Sequence, residues 1–357
     1  MSSIFYYKST YFYQFSSFLL FIWLPLFLSL YILILMKQNL EHTIIIAGAG
    51  VFGTSLAERL AWNVNNKVLI YARNEKIIDD INTNHQNSKC YPTRFLKSTI
   101  TAFSNLERFK EADYIFLAIP SNSIISFTKK IKKYVKEDSL IINLAKGLAE
   151  DGGFITDKIS HTASMKGPTF AIELLNGFPS AFTFGGKKND FIRIKKEVLK
   201  STMISLDYTS DAKSVELLSV LKNMYAIAIG LVSGRYNSPN VDFLIYTKAV
   251  NEMRSFLTLF DCNTETIFKY CGIGDLGLTS LNDLSRNRTL GLLIGKGFVP
   301  DVTSNSSTIV EGYRTVKLMN NMVCEKHLEE EYPLVTALYD LLYGKGTIYT
   351  YLEAVFN

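Results

Sequence analysis

The chain has 357 residues, of which 48% are hydrophobic, and carries 38 basic against 33 acidic side chains for a net charge of +5. This composition is typical of a globular protein of about two domains, and the basic run at 129–133 fits a solvated helix face, so no nucleic-acid partner is predicted. The four cysteines (Cys90, Cys262, Cys271 and Cys324) lack the spacing of a metal site or a dense disulfide framework, which predicts no metal and favours a reducing, cytoplasmic compartment.

The first element in chain order is an apolar run from Phe18 to Met36, within a leader at 1–40. The run is long enough to span a bilayer, and Lys8 and Lys37 flank it symmetrically, so its orientation is undetermined. One interpretation is an inner-membrane anchor, which would bring the protein into contact with the membrane. The other, which we favour, is that translation starts at Met36, just before the first predicted strand.

From residue 41 to 212 short apolar runs alternate with helical patterns, which predicts an α/β, doubly wound, dinucleotide-binding (Rossmann-like) sheet. From Ser214 onward the periodicity is helical, which predicts an all-α domain over 213–357 and a boundary near Ala212. The predicted strands are 43–47, 67–72, 114–120, 140–145, and a shorter pair at 181–185 and 205–208.

A glycine loop follows the first strand and opens a predicted helix at 53–63. Gly48 permits a tight turn, Gly50 lets a pyrophosphate approach the backbone, and Gly53 allows the helix to pack closely on the strand. The helix N-terminus adds amide donors and a favourable dipole for phosphate. The loop therefore predicts a nicotinamide dinucleotide as cofactor.

Arg73 stands at the end of the second strand, where the sequence offers no carboxylate for a ribose 2′-hydroxyl. A guanidinium at this place suits a 2′-phosphate, so NADPH should be accepted as well as NADH. The alternative is an ordinary surface arginine.

Two lysines are candidates for chemistry on a carbonyl. Lys222 is the only cation in a largely apolar helix predicted from Ser214 to about Val232, where lost hydration lowers the pKa of an amine, although a snorkelling lysine would show the same pattern. Lys146 follows an apolar strand at its carboxyl end, where open parallel sheets bind ligands.

Three further segments suit a polar, anionic substrate. The turn Lys166-Gly167-Pro168-Thr169 offers amides and a hydroxyl, and Asp275 is expected on a flexible glycine loop at 272–277. The sequence Ser285-Arg286-Asn287-Arg288 supplies guanidinium groups that can bind phosphate or carboxylate. Each segment alone is also common in loops and on surfaces.

Taken in order, these motifs resemble the NAD(P)-dependent glycerol-3-phosphate dehydrogenases of the bacterial type, from about Thr43 to Lys345. The resemblance lies in seven motifs: Gly-Ala-Gly-x-x-Gly at 48–53, Lys-Gly-Leu at 146–148, Gly-Pro-Thr-Phe-Ala at 167–171, Leu-Lys-Asn at 221–223, Gly-Asp-Leu at 274–276, Ser-Arg-Asn-Arg at 285–288 and Val-Glu-Gly-Tyr-Arg at 310–314.

The resemblance implies an oxidoreductase that reduces dihydroxyacetone phosphate to sn-glycerol 3-phosphate for phospholipid synthesis, with Lys222 as the proton donor and acceptor. It implies that Lys146 stabilises charge on the substrate oxygen and that Asp275 orients Lys222 or a substrate hydroxyl. It leaves the oligomeric state open, with a homodimer as one expectation. The substrate residues it implies are Lys146, Gly167, Thr169, Lys222, Asp275, Ser285, Arg286 and Asn287, and the cofactor residues, beyond the loop glycines, are Val51, Phe52, Arg73, Lys146, Ala171, Arg286, Ile309 and Glu311.

The sequence departs from the family pattern at Lys166, where a small residue is usual, and over 233–244. Two alternatives stay open: a ketopantoate reductase-like dehydrogenase, and a membrane-tethered module that senses a nucleotide without catalysis. The Gly-Asp-Leu and Ser-Arg-Asn-Arg motifs argue against a ketopantoate reductase. A nucleotide sensor without catalysis would not need Lys222, Asp275 and Arg286.

Overall fold

The computed structural model describes residues 42–298 and 311–356, and His42–Asn357 forms a compact unit. The predicted apolar leader at 1–40 and the predicted cofactor residue Ile309 lie outside the described residues.

The first part of this unit is an eight-stranded sheet in the order β3-β2-β1-β4-β5-β6-β7-β8. Neighbouring strands are parallel except for β6 and β7, which are antiparallel. The strands are β1 His42–Ala47, β2 Asn66–Tyr71, β3 Thr101–Phe103, β4 Tyr114–Leu117, β5 Leu140–Asn143, β6 Thr162–Lys166, β7 Ser180–Gly185 and β8 Ile204–Thr209.

Both faces of the sheet are covered, because alternate residues of β1 enter different cores. Ile44 and Ile46 pack into one apolar cluster, and Ile45 and Ala47 into another. This two-sided burial explains the continuous apolar runs of the central strands and confirms the predicted doubly wound class. The helices of this part are α1 Val51–Leu60, α2 Glu75–Asn84, α3 Ser121–Ile131, α4 Ile155–Lys158, α5 Ala171–Leu175 and α6 Lys188–Arg193.

The sheet changes direction at β7, which runs antiparallel to β6. The connection from β6 contains only α5, whose five residues extend roughly 7–8 Å, whereas a six-residue strand extends about 20 Å. A helix this short does not carry the chain back along the full strand. The chain therefore returns as an antiparallel strand, and β8 pairs with it in parallel.

After β8 the described residues are helical or in loops. The longest helix, α7 Ala212–Tyr236, begins at the predicted domain boundary, and nearly all of its residues are buried. It is the one helix among the described residues that is long and apolar enough to cross a membrane, but that stretch is wholly buried inside the protein. The other helices here are α8 Pro239–Leu259, α9 Asp275–Ser280, α10 Arg286–Gly295, α11 Glu311–Glu325, α12 Pro333–Leu342 and α13 Ile348–Phe356.

Candidate active site

The glycine loop joins β1 to α1, and each glycine meets a different steric demand. Gly48 has a φ of +123°, and a Cβ there would lie 2.5 Å from the Ala118 carbonyl oxygen; a Cβ on Gly53 would lie 2.1 Å from the Gly48 carbonyl oxygen. A Cβ on Gly50, in contrast, would meet no atom within 4 Å. The backbone at Gly50 is therefore open to a ligand, in front of the amides of the first turn of α1.

The predicted cofactor side chains lie around this loop and beyond it. Val51 is half-exposed at the start of α1, and Phe52 packs edge-on to Phe182 with ring centroids 6.4 Å apart. Arg73 is exposed two residues after β2 and makes no ion pair within the described ranges. Ala171 is the first residue of α5.

Lys222 and Asp275 form a hydrogen-bonded ion pair, although both side chains are almost completely buried. Burial lowers the pKa of Lys222 to about 8, and the Asp275 carboxylate opposes this shift. The expectation that Asp275 lies on a flexible glycine loop is wrong, because Asp275 is the first residue of α9 and is 3% exposed. Its carboxylate is thus held in place, and Thr279 also donates to it, at 3.4 Å.

Lys146 is exposed on the turn that follows β5, and its charge also lowers the pKa of Lys222. The turn is tightly packed, since a Cβ on Gly147 would lie 2.4 Å from the Ser121 hydroxyl. An exposed cation therefore lies near the buried Lys222 amine.

The Gly167–Thr169 turn packs against β7 and against the segment that leads to Asp275. A Cβ on Gly167 would lie 2.2 Å from the Ala181 carbonyl oxygen, to which the Thr169 hydroxyl donates at 3.2 Å. A Cβ on Gly274 would lie 3.5 Å from Pro168, so the turn and the start of α9 are neighbours.

The Ser-Arg-Asn segment begins α10. The Ser285 hydroxyl accepts from the Arg288 amide at 3.3 Å and caps the helix, whereas Arg286 is exposed. Asn287 donates to Asn223 at 3.2 Å and accepts from the Gly312 amide at 3.1 Å.

Asn223 connects this segment to Lys222 and Glu311. It is next to Lys222 in α7 and donates to the Glu311 carboxylate at 3.2 Å. Lys146, Asp275 and Glu311 thus act on Lys222 through their charges, and Asn287 is hydrogen-bonded to the adjacent Asn223; these residues form one cluster. The described structure shows no hydrogen bond or ion pair from Arg73, Thr169, Ser285 or Arg286 to that cluster within 42–298 and 311–356.

Three buried polar residues near the cluster, Lys166, Asn143 and Glu216, were not predicted from the sequence to belong to the site. Lys166 donates to the Asn143 carbonyl oxygen at 2.6 Å, and the Asn143 amide donates to Glu216 at 2.6 Å. The available signal was weak: Asn143 at the end of an apolar strand, and one acidic residue, Glu216, in an apolar helix.

Comparison with known proteins gives the family. Residues 43–192 match the model described as "NAD-dependent glycerol-3-phosphate dehydrogenase N-terminus", and residues 211–353 match that of the C-terminus. The glycerol-3-phosphate dehydrogenase [NAD(P)+] of Neorickettsia sennetsu is 31% identical over 288 residues, which cover 78% of this chain and 86% of that protein.

Solved structures agree with this fold. The glycerol-3-phosphate dehydrogenase of Coxiella burnetii matches with a TM-score of 0.78 and 24% identity, over 89% of this chain and all of that one. A ketopantoate reductase from Ralstonia eutropha matches with a TM-score of 0.53 and 10% identity, over 87% of this chain and 99% of that one, which is a likeness of fold alone. With both family models matched over most of its length, the chain belongs to the NAD-dependent glycerol-3-phosphate dehydrogenase family.

Proposed function

We propose that this chain reduces dihydroxyacetone phosphate to sn-glycerol 3-phosphate with NADPH or NADH. The observation that carries the proposal is the buried Lys222–Asp275 pair beside Lys146, in a chain of this family. An amine whose pKa is about 8 can both give and take a proton near neutral pH.

In the proposed reduction, protonated Lys222 donates its proton to the oxygen formed at the C2 carbonyl. In the reverse direction the neutral amine accepts the proton of the C2 hydroxyl. Asp275 keeps the amine oriented and favours its charged form, and Lys146 stabilises negative charge on the same oxygen. The nicotinamide, when bound, supplies or takes the hydride.

The remaining substrate contacts are proposed for exposed or turn residues. Arg286, the exposed first residue of α10, would bind the phosphate as a fork, with Asn287 beside it in a position fixed by Asn223. Gly167, Thr169 and Ser285 would complete the pocket with backbone amides and hydroxyl groups.

The residues present fit a dinucleotide at the glycine loop. Open space at Gly50, in front of the α1 N-terminus, suits a pyrophosphate between Gly48 and Gly53. We assign Arg73 to a 2′-phosphate, and Val51, Phe52, Lys146, Ala171, Arg286, Ile309 and Glu311 to further cofactor contacts.

We also propose a division into a nucleotide-binding domain over 41–212 and a substrate domain over 213–357, since the sheet ends at Thr209 and α7 begins at Ala212. A cytoplasmic location is supported by four cysteines that are all free. A homodimer, and membrane contact through 18–36, remain predictions from the sequence.

The direct test is NADPH and NADH oxidation by the purified protein with dihydroxyacetone phosphate, with ketopantoate as the control. We expect turnover with the phosphorylated ketone alone. Turnover with ketopantoate would favour the alternative dehydrogenase, and nucleotide binding without turnover of either compound would favour the sensor.

A further inference from the structure

Three buried polar side chains connect the chain segments that carry the proposed substrate residues. Lys166 ends β6 and directly precedes Gly167, and Asn143 ends β5 three residues before Lys146. Glu216 lies in α7, six residues before Lys222. All three side chains are at most 4% exposed.

Hydrogen bonds join the three residues into one network. The Lys166 Nζ donates to the Asn143 carbonyl oxygen at 2.6 Å, and the Asn143 Nδ2 donates to the Glu216 Oε1 at 2.6 Å. Two of its members also bind backbone amides, since Asn143 Oδ1 accepts from Ala145 at 2.9 Å and Glu216 Oε2 accepts from Ile155 at 2.8 Å. The network therefore fixes the chain on either side of the Lys146 turn.

The charges of the network are costly to bury. Burial lowers the pKa of Lys166 to about 7 while Glu216 opposes the shift, and burial raises the pKa of Glu216. Lys146 and Lys222 both repel the charge on Lys166. Because apolar residues of similar size are often as stable as a buried pair of opposite charges, stability alone gives no reason for a lysine here.

We propose that Lys166 is a positioning residue for ketone reduction, acting through Asn143 and Glu216 to hold the Lys146 turn and α7 in register with the Gly167–Thr169 turn. The proposal rests on the proposed function. The three segments come from β5, β6 and α7, and the two side-chain hydrogen bonds join them directly at the carboxyl ends of β5 and β6. Proton transfer and charge stabilisation depend on their relative placement to within a fraction of an ångström.

The test compares Lys166→Met, which keeps the length of the side chain without its amine, with Lys166→Met/Glu216→Gln, which buries no charge at either position. The matched control is Lys196→Met, at an exposed lysine on the helical turn Ile194–Val198. The measurements are kcat and KM for dihydroxyacetone phosphate, KM for NADPH, and the urea midpoint of unfolding.

We expect kcat/KM for dihydroxyacetone phosphate to fall about 10- to 100-fold in both Lys166 variants. KM for NADPH should change by a smaller factor, because most of the proposed cofactor contacts lie at the glycine loop and outside the network, and the midpoint of the double variant should be unchanged or higher. The double variant also decides the question if the single variant does not fold.

Wild-type kcat/KM in the double variant would overturn the proposal, because the amine would then have no role beyond neutralising Glu216. An equal loss of NADPH binding and of stability would overturn it in favour of a general structural role. A wild-type protein that does not turn over dihydroxyacetone phosphate would overturn the proposed function itself, a result distinct from both.

Discussion

Lys222 is almost completely buried, with only 1% of its surface exposed to solvent. Burial and Asp275 act on its pKa in opposite directions, and the balance of about 8 leaves both protonation states within reach near neutral pH. The same side chain on an exposed helix face would remain charged. The chemistry proposed for Lys222 therefore depends on its surroundings as much as on its identity.

Lys222→Ala should lower kcat for dihydroxyacetone phosphate by about a thousandfold, because the proposed proton donor is lost. The glycine loop lies in the sheet part of the protein, so the affinity for NADPH should change by less than about threefold. Steady-state kinetics and NADPH fluorescence titration measure the two effects. Near-normal turnover by the variant would refute the assignment.

Asp275→Asn should move the pH profile in a defined direction. Asp275 raises the pKa of Lys222, so its neutralisation should lower that pKa further below 8. In the oxidation of glycerol 3-phosphate the neutral amine is the active form, and kcat/KM rises with pH through its pKa. The rise should therefore shift to lower pH by about one unit or more, together with a fall in kcat. A rise at the wild-type pH would mean that another group titrates.

Arg73→Ala should reduce the preference for NADPH over NADH. A hydrogen-bonded charge pair with a 2′-phosphate contributes roughly 1.5–3 kcal/mol, so the ratio of the two affinities should fall about tenfold or more. The affinity for NADH, which lacks this phosphate, should stay nearly constant. An unchanged ratio would identify Arg73 as an ordinary surface residue.

At the scale of helices, one carboxyl group joins three elements of the helical part. Glu252 in α8 accepts from the Tyr225 hydroxyl of α7 at 2.8 Å and from the Leu334 amide at the start of α12 at 2.7 Å. Burial raises its pKa to about 7 from the usual 4.5. Folding thus shifts this carboxyl group toward its neutral form.

Glu252→Gln should remove a pH dependence of stability. Since the folded-state pKa is raised, the contribution of the carboxyl group is fully present below about pH 4.5 and is lost as pH rises through 7. From pH 5 to 8 the free energy of unfolding of the wild type should fall, relative to the glutamine variant, by on the order of 2–3 kcal/mol. Urea unfolding at both pH values checks this, with Glu353→Gln, at an exposed site on α13, as the control. Parallel pH profiles for the wild type and the Glu252 variant would contradict it.

At the scale of the whole molecule, the sequence predicted the β1–α1–β2 unit and the helical second half, because continuous apolar runs and loop glycines are local signals. It missed β3, which has only three residues, and β6, whose Thr162–Lys166 stretch has no continuous apolar run. The reversal of β7 was also missed, since alternation along a strand does not encode its direction. The partners of Lys166 and Glu216 lie 23 to 73 residues away along the chain, beyond any pattern of spacing.

A chain that begins at Met36 should have the same kcat/KM as the full-length chain. β1, the first strand of the described sheet, begins at His42, six residues after Met36. Expression of both forms, followed by kinetics and membrane fractionation, tests this. An inactive or unfolded shorter form would show that the leader contributes to the enzyme.

The burial of Lys222 with Asp275 also has a consequence for folding. The two residues are 53 positions apart, and the Lys222 amine loses its water only when α7 and α9 are packed together. A collapsed intermediate with native helices would still hydrate both charges and would lack a proton donor of the right acidity. Recovery of turnover during refolding should therefore lag behind recovery of helical circular dichroism. The rate at which activity returns then measures the rate at which α7 and α9 pack together.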